Sequence, residues 1–154
     1  MKSWARHNLD ELRGHRFARG QMTTELAMLA PLLALILVAA TDFARVFYMS
    51  IELNNAARAG VQYGAQNPVT AANLAGMKQA AINDAADITG MTTTASLYCE
   101  CPGGSAFSCS TANSCSDKRV YVEVDTSGTY QTLFNYPWIP SKINLAGKAV
   151  MREQ

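Results

Sequence analysis

The sequence predicts an α+β fold: a long N-terminal helix, transmembrane at its start and a stalk beyond, packed on a small antiparallel sheet with a disulfide-bearing loop. Three observations lead there. Fifteen consecutive residues, Leu26 to Ala40, carry no charge. No glycine or proline interrupts the chain between Leu32 and Gly60. Past residue 90 the apolar pattern changes from helical spacing to alternation, and all the cysteines crowd into one Gly- and Ser-rich stretch.

Residues 1–20 form a basic leader: Lys2, Arg6, Arg13, Arg16 and Arg19 outnumber Asp10 and Glu11, for a charge of +3. Positive charge beside an apolar segment stays on the cytoplasmic side. The remainder is therefore expected across the membrane, outside the cytoplasm, anchored by a single span. Without the leader, eight basic and ten acidic residues remain. So near-neutral a body gives no support for nucleic-acid binding.

Residues 21–66 read as the transmembrane and stalk helix. Met22 to about Thr41 has the roughly 20 residues that cross a hydrocarbon core. Its eight Leu, Ile and Val residues supply only about 2.4–4.8 kcal/mol towards insertion. An acid at the bilayer centre would cost about 2.5–3.5 kcal/mol, so Glu25 must lie at the interface or meet a cation. Pro31 removes one backbone bond and is expected to kink the helix. Three readings compete: a permanent anchor, a secretory signal cut after Val38-Ala39-Ala40, and a leader cut at Gly20 that leaves the helix attached. Glu25 and Pro31 inside the apolar region argue against the secretory signal.

The stretch Arg19-Gly20-Gln21-Met22-Thr23-Thr24-Glu25-Leu26-Ala27 resembles the start of TadE/TadG-like proteins, minor pilins (pseudopilins) of tight-adherence (Flp-type) pili. Pro31-Leu32-Leu33, Asp42-Phe43-Ala44-Arg45-Val46-Phe47 and the run from Leu53 to Ala65 are similar to the same family, as are Tyr130 to Phe134, Pro137, Ile139-Pro140 and Ala149 to Arg152. The resemblance implies a pilin-like fold and cleavage between Gly20 and Gln21 by a prepilin peptidase. It implies partners that are other pilin or pseudopilin subunits, and an assembly role for Glu25, fifth after the cut. The new amine at Gln21 is a cation that could meet the carboxylate of a neighbouring Glu25.

Beyond Thr41, Phe43, Val46, Phe47, Ser50, Ile51 and Asn54 fall at helical spacing and are expected to form the buried stripe. Ala56, Gly60 and Gly64 recur every fourth residue, a smooth strip for helix packing. It would lie either on the chain's own sheet or on another subunit. Asp42, Arg45, Glu52 and Arg58 are expected to be solvated.

Asn67-Pro68 ends the stalk. Residues 67–90 then read as a peripheral helix, Val69 to Thr89, stopped by Gly90. Residues 91–154 form a small antiparallel β head. Its expected strands are Thr92 to Cys101, the alternating Val120, Val122 and Val124, Tyr130 to Phe134 after a bulge or kink at Ser127-Gly128, and Lys142 to Arg152. In the connector Asn135 to Pro140, two aromatics and Ile139 lie among prolines. They either cap the sheet edge or form an apolar knob for a neighbouring pilin or a surface.

The cysteines run C-x-C-x7-C-x5-C: Cys99, Cys101, Cys109, Cys115. Export favours disulfides. Cys99 and Cys101 project from the same side of an extended strand, so each is expected to reach Cys109 or Cys115, with the pairing open. A zinc site is the rival, but ligand pairs spaced C-x2–4-C are absent.

Both histidines, His7 and His15, lie in the leader, so no Ser-His or Cys-His pair can form in the body. No catalytic, cofactor-binding or metal site is assigned. The expected function is that of a minor pilin, membrane-anchored and then assembled through its N-terminal helix. The alternative is a monomeric single-span sensor or adhesin with a ligand-binding head.

Overall fold

The computed structural model describes residues 2–109, 115, 117–134 and 136–153, with side chains along the first helix from Met22 onward. The chain divides into two compact units, Met1–Phe43 and Ala44–Gln154. The first is helical from Lys2 onward. It belongs to α1 (Lys2–Gly64), so the leader and the apolar run share one helix, with Pro31 inside it. Apart from Gly14, residues 2–19 contain no strong helix breaker. Thr41 donates its hydroxyl to the Leu37 carbonyl one turn back, at 2.9 Å, which satisfies the group inside an apolar stretch. Asp42, expected in solvent, is only 5% exposed.

The second unit, the head, contains the end of α1, two short helices and a four-stranded sheet: an α+β fold. The single helix expected over 69–89 is instead α2 (Pro68–Ala72) and α3 (Leu74–Asp84). Asn67 caps α2 through a reciprocal box, accepting from the Val69 and Thr70 amides while its own amide donates to the Thr70 hydroxyl. Asn73 causes the break: it closes α2, and its side chain accepts from the Gly76 amide to open α3. A short amide side chain that bonds the local backbone competes with helix continuation.

The strands are β1 (Thr92–Glu100), β2 (Ala106–Phe107), β3 (Arg119–Gln131) and β4 (Lys142–Arg152). They pair antiparallel in the order β2-β1-β3-β4. Of the bulge or kink expected at Ser127-Gly128, the bulge does not occur. Ser127, Gly128 and Thr129 pair without interruption with Ala146, Leu145 and Asn144. Gly128 serves packing instead: a Cβ there would lie 2.5 Å from the Met49 methyl.

Alternation along β3 turns Val122, Val124, Thr126, Gly128 and Tyr130 inward, all buried. They meet Leu53, Ala56, Ala57 and Val61 of α1 and Met77 and Ala81 of α3, each at most 1% exposed. One face of the helical segment expected to be peripheral is thus core, because its alanines let α3 come close to the sheet. The core closes around a polar contact. Thr126 Oγ1, fully buried, donates to the Leu53 carbonyl at 2.7 Å and lies 3.3 Å from the Gly147 carbonyl.

Candidate functional site

Every residue from Met22 to Leu37 is exposed, including Leu26 at 62%, Leu35 at 67% and Leu37 at 68%. Burying one leucine is worth about 1.5–3 kcal/mol, so this surface is suited to lipid or to other apolar helices. The helix is long and apolar enough to cross a membrane. Glu25 is exposed at the margin of the run, directly before Leu26. Gly20 and Gln21 lie within α1, but the Gln21 side chain is outside the described residues.

In the head, α1 buries a different stripe from the expected one. Met49, Leu53, Ala56, Ala57 and Val61 point inward, whereas Phe47 and Ile51 are 64% and 58% exposed. The helix is apolar on two sides: of the expected stripe Val46 packs partly buried against the core, whereas Phe43, Phe47 and Ile51 face outward. Phe47 and Ile51, four residues apart, therefore make an unburied apolar pair.

Ala56, Gly60 and Gly64 are buried against the chain's own head. A Cβ at Gly60 would meet the Met77 carbonyl oxygen at 3.0 Å and both Val124 methyls at 3.0 and 3.1 Å. At Gly64 the first obstacle is the Met77 sulfur at 2.3 Å. A thioether can swing aside, whereas a helix carbonyl and a β-branched side chain cannot. Gly60→Ala should therefore destabilise the head by about 1–2 kcal/mol. Gly64→Ala should be close to neutral, since removing a helical glycine returns about 1 kcal/mol. Thermal unfolding of the two variants separates them; equal midpoints would contradict the packing described.

All four cysteines are bonded: Cys99 to Cys109 and Cys101 to Cys115, with Cα separations of 5.0 and 5.9 Å. No thiolate is left for zinc. Cys99 is fully buried on the inner face of β1, while Cys101 lies just past the strand's end. The two bonds hold β2 against β1, where Phe107 pairs with Cys99 and Ala106 with Glu100.

The outer sheet face carries a stacked pair, Tyr98 and Tyr121, with ring centroids 5.5 Å apart. Beside it Lys148 contacts Glu123 at 2.7 Å and Asp125 at 3.8 Å. Loss of surrounding water pushes the Tyr98 phenol above its usual range, and the hydrogen bond to Glu123 holds the Lys148 ammonium above its own. Elsewhere Tyr48 donates to Asp87 at 2.8 Å, and that bond raises the phenol pKa. The pair lies in an open cleft of about 350 Å³ with Arg45, Thr129 and Tyr130. Among the described residues no group of three or more His, Cys, Asp or Glu could hold a metal.

Sequence reasoning did not single out Thr126 or Gly147, which join helix to sheet. A glycine in the middle of a strand was the available signal, because it marks close backbone approach. A threonine in phase with Val122 and Val124 was the other. Residues 20–62 match the family model described as TadE-like protein. No curated protein and no solved structure matches the chain.

Proposed function

We propose that this chain, TadE-like over residues 20–62, is a membrane-anchored minor pilin that joins a tight-adherence pilus through its N-terminal helix. The observation that carries this reading is the bare apolar surface from Met22 to Leu37 with one acid, Glu25, at its margin. Before assembly lipid covers that surface. In a fibre, the helices of sibling pilins or pseudopilins replace the lipid.

The basic leader stays in the cytoplasm and the head lies beyond the inner membrane, in a compartment that supports both disulfides. A prepilin peptidase cuts between Gly20 and Gln21, and the new amine offers the carboxylate of a neighbouring Glu25 a partner away from water. The chain contributes surface and register, with no catalytic role and no cofactor.

N-terminal sequencing of protein recovered from cell envelopes tests this reading, with Gln21 as the expected first residue. Met1 would remove the peptidase step, and Thr41 would remove the anchor as well. Glu25→Ala should remain in the membrane but fall by about tenfold in the sheared pilus fraction, the equivalent of ~1.4 kcal/mol of lost pairing. A chain that is equally abundant with either residue would fit a solitary sensor or adhesin instead.

A further inference from the structure

The connector between β3 and β4 was expected either to cap the sheet edge or to stand out as an apolar knob. Its base is closed by the Thr132 amide, which donates to the Ser141 carbonyl at 3.0 Å. Above that base Trp138 is 98% exposed, with Leu133, Phe134 and Ile139 at 53%, 54% and 43%. Trp138 caps nothing. It also holds a φ of +90°, a region costly for a bulky side chain, and such strain persists where it serves a role.

The loop's position suggests the role. Tyr130, near the end of β3, packs with Met49, and the Arg45 guanidinium stands 5.5 Å from its ring centroid. The loop therefore leaves the sheet at the end of the head where the chain enters it. Thr41, at the close of the apolar run, is only four residues before Arg45, about 6 Å of helix. Exposed Phe47 and Tyr48 lie on the same stretch of α1. Arg45 and Lys142, both exposed, supply positive charge for anionic headgroups. Aromatic rings with apolar neighbours and basic flanks are the composition that settles at a membrane–water boundary.

We propose that the β3–β4 loop is an interfacial foot: Leu133, Phe134, Trp138 and Ile139 enter the headgroup zone of the leaflet from which α1 emerges, and hold the head on the lipid surface. This rests on the membrane-anchored reading above. It also gives extraction into a fibre a second step, in which the foot must leave the lipid along with the helix.

The test uses the full chain carrying Trp4→Phe, which leaves Trp138 as its only indole, in phosphatidylethanolamine–phosphatidylglycerol vesicles. Vesicle flotation reports the anchor, and quenching by lipids brominated at shallow or deep acyl positions reports the loop. Trp138 should be quenched most by shallow bromine, at a depth of about 5–10 Å below the headgroup boundary, and be shielded from aqueous acrylamide. A floating chain whose Trp138 is open to acrylamide and untouched by bromine overturns the foot and leaves the anchor standing. Shielding from both quenchers puts the loop against protein and also overturns it. A chain that does not float removes the anchor and the foot together.

Discussion

Gly147→Ala in the full chain should lower the unfolding midpoint of the head by about 10–20 °C, the effect of ~3 kcal/mol on a domain of this size. A Cβ at this position would lie 2.6 Å from the Leu53 carbonyl carbon and oxygen and 2.7 Å from the Asn54 nitrogen. Those atoms belong to the α1 backbone, held by intrahelical bonds, so no rotamer change relieves the clash. The strand would have to move away. That movement would also stretch the buried bond from Thr126 to Leu53. Near-ultraviolet dichroism of the tyrosines follows the head without interference from a helix that detergent keeps folded. Gly104→Ala is the control, since among the described residues its Cβ would approach nothing nearer than Cys101 Cβ at 3.4 Å. It should stay within about 0.5 kcal/mol of the parent. A Gly147→Ala midpoint matching the control would mean that helix and strand are not in backbone contact.

Replacing Cys99 and Cys109 together by alanine should cost about 3–4 kcal/mol, roughly 3 of it from reopening a loop of this length in the unfolded chain. The remainder is lost packing where Cys99 is fully buried. Replacing Cys101 and Cys115 removes a comparable loop constraint but little core, because Cys101 sits beyond the end of β1. The first double variant should therefore melt lower than the second. Hydrogen exchange at Ala106 and Phe107 should accelerate in both, since a two-residue strand has few bonds of its own. If reductant leaves the parent's melting temperature unchanged, the bonds do not stabilise the head.

The helix, the sheet and the α+β arrangement were legible because each rests on a pattern several residues long. An uncharged run of fifteen and three alternating valines leave little choice of element. Which side of α1 faces the sheet was not legible, because Phe47 and Ile51 are as apolar as Met49 and Leu53 and only tertiary contact separates them. The helical segment after Pro68 was underestimated by weighing side-chain size: Ala71, Ala81 and Ala85 are at most 2% exposed because small residues permit closeness. The break at Asn73 depends on one side-chain acceptor, beneath the resolution of periodicity. At the candidate site, the apolar run and its acid stand out in one dimension. The exposure of Trp138 does not, because the same residues could have folded back over the sheet.

The sheet's two borders differ. At one, the two-residue β2 and the paired disulfides cover only the end of β1, at Cys99 and Glu100; at the other, among the described residues, β4 leaves its outward amides and carbonyls without a neighbouring strand. Two copies meeting antiparallel about Gly147 would set Lys142 of each opposite Arg152 of the other, and like charges directly opposed disfavour such pairing. Copies of this chain at high local concentration thus carry a built-in deterrent to fusing edge to edge in that register.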